Sequence, residues 1–408
     1  MWIYVKLAFR NLLRNKRRTF IAGTGIGIGL ASLIFVDAVI IGMERNMVET
    51  ATATFLGDGQ VQRKGFRDTL ESDLTIERLD WVIENLKQEP SVRQFSLRTM
   101  AYGTIASPAN FSSVEMVGIN PSTERQISEI DEAIIQGNYF EGENKRDIVI
   151  GSKLADVLEV GLGDRLVVTL AQAGTGDLSQ ELFRVSGIFK FNIAEMDNGM
   201  VFVRLAKAQE MLGIGENVHA IVLDLTNREM GLNKDFSLWK KYSKFGNEAL
   251  GWAQILPQVK TAFELSRFST YILGLILFGI VALGIINTLF MSLYERMFEF
   301  GVLRAVGTRP SGIAQMIVYE AGFLAVLSIV LGAILGFLVT YITALVGIDF
   351  KGIEYVGVTF RRLLYPIMDI RQFIEYPLWV FAFTTLVGLY PARYAAKMLP
   401  SEAMRRSL

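Results

Sequence analysis

The chain has 408 residues, 51% of them hydrophobic, and its 41 basic side chains are balanced by 41 acidic ones. It is longer than one domain needs and too apolar to be wholly soluble. It has no cysteine, which excludes disulfides, thiolate catalysis and cysteine-ligated metals together.

Residues 1–19 carry Lys6, Arg10, Arg14, Lys16, Arg17 and Arg18 and no acid, interleaved with Ile3, Leu7, Phe9, Leu12 and Leu13. This pattern predicts an amphipathic basic helix lying on the inner leaflet. Residues 20–43 form the first span, with Asp37 as its only charge. A cleavable signal would have an apolar region of roughly 7–15 residues, so this longer one reads as a retained anchor. Gly23, Gly25, Gly27 and Gly29 build two overlapping G-x-x-x-G pairs, a pattern for close helix packing within the chain, for packing against a second permease copy or for lining a lipid-facing opening.

Residues 44–267 hold 24 basic and 32 acidic side chains and form a mixed region. A helical period runs from Thr75 to Glu89. Strand patterns follow at 99–105, 114–119, 147–150, 165–170, 183–189, 200–203 and 219–225, with short helices at 152–158 and 205–212. Residues 171–181 read as a polar hairpin loop that either connects strands or meets a partner, and 258–268 as a helix feeding the second span.

The second span is 268–293 and carries no charge. An amphipathic charged segment, 294–311, leads to a third span at 312–346, whose only charge is Glu320. A loop at 347–375, a fourth span at 376–392 and a tail at 393–408 with Arg393, Lys397, Arg405 and Arg406 complete the chain. The predicted fold class is an α-helical membrane protein with four transmembrane helices and a large α+β extracytoplasmic domain inserted between the first and second spans. Basic residues gather on the cytoplasmic side of membranes, so both termini are expected there. Because they flank spans, nucleic acid is not an expected partner.

No G-x-x-x-x-G-K-[ST] phosphate loop is present, nor a G-x-S-x-G elbow or an H-E-x-x-H pair, so the chain is expected to be non-catalytic and to hold no cofactor of its own. The single histidine, His219, is expected to be structural. The intramembrane acids Asp37 and Glu320 are candidate functional residues, because charge inside a bilayer is costly. Ser32 is a candidate partner for Asp37, and Arg296, Arg304 or the basic N-terminal helix for Glu320.

Glu295, Glu299, Gly301, Leu303, Arg304, Ala305 and Gly307, in the spacing E-x-x-x-E-F-G-V-L-R-A-V-G, closely resemble the signature of FtsX-like ABC transporter permeases, the superfamily that includes MacB-type efflux and lipoprotein-releasing systems. The N-terminal LAFRNLLRNKRRT and the C-terminal YPARYAAKMLPSEAMRR also look like that family. Size and layout resemble most the lipoprotein-releasing permeases. The resemblance implies a mechanotransmission permease in a multi-pass cell inner membrane location. In such a protein, 294–311 is the helix coupling it to a separate ATPase homodimer that binds ATP and Mg. The coupling residues it implies are Glu295, Arg296, Glu299, Gly301, Val302, Leu303, Arg304, Ala305, Val306 and Gly307. It further implies a second permease copy, in a homodimer or a paralogous heterodimer, and a lipid or lipoprotein substrate. A periplasmic chaperone is a further implied partner, although the loop at 171–181 is short and lacks the Pro-containing hook of those systems. A membrane-anchored sensor or scaffold that signals to or from an ATPase without transport is the alternative.

Overall fold

A computed structural model describes residues 2–14, 16–140, 142, 144–355, 358–360 and 362–397; the end of the predicted tail, 398–408, lies outside them. In chain order the elements begin with helices α1 (Trp2–Arg14) and α2 (Lys16–Ala51), a π-turn at Thr52–Leu56 and strand β1 (Gly59–Arg63). Next come α3 (Phe66–Thr69), α4 (Leu79–Leu86), β2 (Val92–Ala106), β3 (Phe111–Ile119), α5 (Pro121–Glu124), β4 (Ile134–Gly137) and β5 (Asp147–Gly151). They are followed by α6 (Ser152–Leu158), β6 (Arg165–Ala171), β7 (Leu178–Phe189), α7 (Ala194–Gly199), β8 (Met200–Arg204), α8 (Leu205–Leu212) and β9 (Ala220–Leu225). Then α9 (Ser237–Tyr242), β10 (Asn247–Gly251) and α10 (Trp252–Ile255) precede α11 (Pro257–Glu295), α12 (Met297–Ala305) and α13 (Pro310–Val346). A two-stranded ribbon, β11 (Glu354–Tyr355) with β12 (Val358–Thr359), leads to α14 (Gln372–Lys397). Among the described residues four helical stretches, Lys16–Leu56, α11, α13 and α14, are long and apolar enough to cross a membrane.

The chain divides into two compact units: a helical one (1–45, 263–349 and 363–408) and an α/β one (46–262 and 350–362). In the helical unit, Gly27 and Gly332 mark a close approach of α2 and α13. A Cβ on Gly27 would lie 3.2 Å from the Gly332 nitrogen, and one on Gly336 would lie 3.2 Å from the Ala31 Cα. Small residues four apart on both helices let the backbones touch, which is how apolar helices associate where no hydrophobic effect separates them from lipid. Leu30, Ile34, Ile285, Leu289 and Leu324 fill the space beside this crossing.

The α/β unit is one ten-stranded sheet in the order β10-β1-β9-β2-β3-β8-β5-β7-β4, with β6 bridging β2 and β7. β2 is its spine: residues 92–98 pair with β9, 98–106 with β3, and 103–106 with β6. The edges predicted for this region shift for local reasons. The first helix continues to Ala51 and tightens into the π-turn, beyond the span end expected at residue 43. The helix expected at 75–89 is only Leu79–Leu86, because the Ile76 amide donates to Val218 O at 2.9 Å and Arg78 takes φ 51°. Strands β1, β4 and β10 escape the alternation pattern. In β1, Gln60 and Gln62 are buried and satisfied by Leu56 O at 2.9 Å and Glu248 at 3.1 Å, so polar side chains occupy core positions.

Buried polar side chains also brace the sheet. Arg98 and Glu124 are 1% and 0% exposed; Arg98 Nη2 donates to Glu124 Oε1 at 2.5 Å, and its Nη1 donates to Phe55 O at 2.6 Å at the end of the π-turn. The guanidinium also stacks on the Phe55 ring, 4.0 Å from its centroid. His219 is fully buried and stacked on Phe66. Its Nδ1 accepts from the Met100 amide at 3.0 Å while Nε2 faces Ser72 O at 2.9 Å, a pattern that requires the neutral ring.

Removing one member of a buried pair leaves an uncompensated charge. Arg98→Leu is therefore expected to cost about 3–5 kcal/mol, with Arg98→Leu/Glu124→Leu recovering much of it in thermal unfolding of the purified chain. Burial pulls the His219 imidazole below its ordinary value. The unfolded chain then takes up a proton below about pH 6.5 that the folded chain refuses, so stability from this group is full above that pH and falls as pH drops toward the folded value. The melting temperature should fall more between pH 7.5 and 5.5 in wild type than in His219→Gln.

Candidate functional site

Residues 294–311, expected as one charged helix, divide into separate parts. Glu295 is the last residue of α11, Arg296 stands in a break with φ −114° and ψ 17°, and α12 begins only at Met297. At the other end Gly307 adopts φ 105°, a conformation open chiefly to glycine, and the Thr308 amide turns back to Leu303 O at 2.9 Å. Pro310 then occupies the first turn of α13, where its missing N–H costs nothing. Glu295 and Arg296 thus precede the helix, and Gly307 follows it.

The break is held by buried charge. Arg296 Nη1 donates to Glu320 Oε2 on α13 at 3.1 Å, and its Nε donates to Glu299 Oε2 at 3.2 Å. Ser292 Oγ donates to the second Glu320 oxygen at 2.9 Å, and the Arg296 guanidinium lies 4.8 Å from the Phe300 ring centroid. Arg296 and Glu320 are each 6% exposed, so each satisfies a charge that would otherwise be stranded. Of the partners anticipated for Glu320, the structure selects Arg296; Arg304 instead reaches Thr308 O at 3.5 Å. Two outer pairs extend the network to the basic N-terminal residues, Arg14 to Glu299 at 2.7 Å and Arg18 to Glu295 at 2.6 Å. Burial pushes the Glu299 carboxyl up, but hydrogen bonds from Arg14 and Arg296 outweigh it and hold the group below the usual carboxylate range. The exposed Arg14 pair contributes at most about 1 kcal/mol and mainly orients α1 beside α12.

α12 has two unlike faces. Met297, Phe300 and Gly301 are buried, and with Leu303 they pack among Leu293, Ile313, Met316 and Ile317. The opposite face leaves Phe298, Val302 and Val306 exposed by 51%, 41% and 82%, with Ala305 beside them. Gly301 and Leu303, expected to meet a partner, are turned into the chain's own core. Glu299 and Arg296 are likewise engaged internally. Phe298, outside the motif residues, shares this exposed face, as the four-residue spacing of 298, 302 and 306 indicates.

The other candidate residues separate. Asp37 accepts from Gln372 Nε2 at 2.8 Å, with Tyr376 also bonded to it; Ser32, its anticipated partner, is not involved. Gly23 and Gly27 face Leu327, Ser328 and Gly332 of the same chain, so that pair is not free to pack against a second copy. Gly29 faces Val281, while a Cβ on Gly25 would meet nothing within 4 Å. Among the described residues no group of three or more His, Asp or Glu side chains is placed to hold a metal.

Residues 19–229 match the family described as MacB-like periplasmic core domain, and residues 271–400 that described as FtsX-like permease C-terminal. The lipoprotein-releasing system transmembrane protein LolC of Neisseria meningitidis is 23% identical over 96% of this chain and 97% of its own. Its counterpart LolE of Haemophilus influenzae is 22% identical over 93% and 92%. The macrolide export ATP-binding/permease protein MacB of Pectobacterium atrosepticum is 26% identical over 98% of this chain but 60% of its own.

Because Glu320 neutralises a buried cation, Glu320→Leu is expected to destabilise the chain by about 3 kcal/mol, and Arg296→Met/Glu320→Leu by clearly less. Thermal unfolding in detergent across this double-mutant cycle measures the coupling.

Proposed function

The chain belongs to the FtsX-like and MacB-like permeases of ABC transporters, and from that premise we propose that it is the membrane subunit of a transporter powered by a separate ATPase. In this reading both termini and α12 are cytoplasmic and the α/β unit is extracytoplasmic. ATP and Mg are bound by the partner, and closure of that partner is passed through α12 to the spans. The observation that carries the proposal is the two-faced α12. Its inner face is locked by Phe300, Gly301 and the Arg296–Glu320 pair, while Phe298, Val302 and Val306 remain outward and exposed among the described residues. A helix fixed on one side and apolar on the other suits a groove in a second protein.

Four spans do not enclose a central path, so two permease chains, alike or paralogous, would work together. The substrate favoured is lipidic, a lipid or lipoprotein drawn from the outer leaflet. Support comes from the similarity to LolC and LolE over nearly the whole chain. Chaperone recruitment is not part of the proposal. The β6–β7 turn is short: the Gln172 amide donates to Asp177 O at 2.8 Å to close it, and the Gly174 amide is tied to Asp73.

The test is co-purification with the ATPase of the same transporter. Val302→Asp/Val306→Asp is expected to lower complex formation and permease-dependent ATPase modulation by more than about tenfold while leaving the melting temperature unchanged, because desolvating two carboxylates opposes binding and neither site is in the core. Substituting Gly301 or Leu303 would confuse folding with docking. Unchanged assembly in the double variant refutes the α12 assignment.

A further inference from the structure

The start of β2, in the α/β unit, is a free edge. Residues 92–97 pair with β9 alone, because β3 joins only at Arg98, opposite Ile119. Apart from the Val92 amide, which donates to Glu89 O at 3.0 Å, no backbone group of 92–97 bonds outside that ladder among the described residues. A notch of about 290 Å³ lies here, lined by Leu86 and Lys87 at the end of α4, by Arg93, Gln94 and Phe95 of β2, and by Gln126 beyond α5. Successive side chains of a strand point to opposite faces, so a cavity touching both Gln94 and Phe95 opens on the edge of the strand rather than on one face of the sheet.

The notch is cationic at its rim and apolar beneath. Lys87 and Arg93 are exposed, and no acid lines the cavity. Lys87 forms no ion pair among the described residues, while Arg93, its side chain 60% exposed, meets Asp224 at 3.3 Å. Glu89, between the two cations in sequence, is paired with Lys241 at 2.6 Å. Leu86 and Phe95 belong to the apolar cluster that α4 shares with the sheet. Gln94 Oε1 is buried and accepts no hydrogen bond, which leaves its desolvation uncompensated. The terminal torsion of a glutamine side chain is soft, so the amide can turn this oxygen toward an arriving N–H and recover the bond.

We propose that this notch receives an extended acidic segment of a partner protein, which adds as a strand to the free edge of β2 and sets a carboxylate between Lys87 and Arg93. Strand addition supplies what each group lacks. Main-chain groups of the guest meet those of 92–97, one of its donors meets Gln94 Oε1, and its carboxylate meets Lys87. Residues 92–95 extend about 13 Å at roughly 3.3 Å each, room for three or four residues of guest. Charged side chains at a strand edge deter indiscriminate pairing, and their single sign here admits an acidic strand. A second copy of this chain paired edge to edge would set Lys87 and Arg93 against the same cations, an arrangement that opposes association. The proposal rests on the α/β unit alone, on neither the membrane orientation nor the ATPase, so it and the function proposed above fail separately.

The experiment is fluorescence anisotropy of the full chain in detergent, with a labelled synthetic peptide of alternating glutamate and valine as the probe. Saturable binding is expected, together with slower amide exchange in 92–97. The same peptide with lysine in place of glutamate should not bind. Nor should one N-methylated at alternate amides, which keeps the charge but removes the strand donors. Lys87→Glu should weaken binding more than about tenfold by reversing the charge that meets the carboxylate. Gln126→Trp, which fills the notch from an exposed position, should weaken it as much and leave the melting temperature unchanged. No saturable binding at about 1 mM probe, where even weak complexes form, overturns the proposal. Equal binding of the lysine or N-methylated peptide, or undiminished binding by both variants, does the same. So does displacement by an equal concentration of free glutamate, which would make the notch a simple anion site, or dimerisation without probe that both variants abolish, which would assign the edge to a second copy.

Discussion

The buried pair between Arg296 and Glu320 is the interaction on which the helical unit depends. Protein burial at the break keeps water from the groups there, so a chain that leaves α11 and restarts as α12 must satisfy its buried charges internally. Arg296 does this where the helix breaks, joining Glu320 on α13 and Glu299 on α12 at 3.1 and 3.2 Å. A single cation thereby fixes three helices at one point. Ser292, one turn earlier on α11, completes the acid's hydrogen bonding and leaves no freedom in its orientation.

The same constraint appears elsewhere in a different form. Where α2 passes α13, no charge is available, and contact is made by removing side chains at Gly27, Gly332 and Gly336. In the α/β unit, the π-turn at Thr52–Leu56 ends a long helix on a sheet, and Arg98 receives it by bonding Phe55 O while pairing with Glu124. At these three places a long helix meets its neighbours through a buried cation or a close backbone approach.

What was legible in the sequence follows from these forces. The apolar spans and most of the sheet are visible because hydrophobic length and alternation are local properties. The FtsX-like motif likewise marks α12 and its glycine stop. Strand β1 is hidden because buried Gln60 and Gln62 imitate a loop. The partner of Asp37 is hidden because Gln372 lies 335 positions away along the chain. The inward turn of Gly301 and Leu303 is hidden for a related reason. A motif records which residues occur together, whereas the face each one presents is set by Ile313, Met316 and Ile317 on the following helix.

That last distinction changes how the charges of the motif are understood. Glu295, Arg296 and Glu299 look, in sequence, like the contact surface offered to another protein. In the structure their carboxylates and guanidinium are consumed by Arg18, Glu320, Arg14 and one another. These contacts tie α12 to α13 and α1, and the side chains that α12 leaves exposed are apolar. A partner would therefore gain affinity from burying Phe298, Val302 and Val306, and would sense the spans through a helix whose orientation is already fixed by charge. The internally paired charges and the exposed apolar side chains thus share the short segment from Glu295 to Val306, so a substitution of an exposed apolar side chain need not disturb the ion pairs.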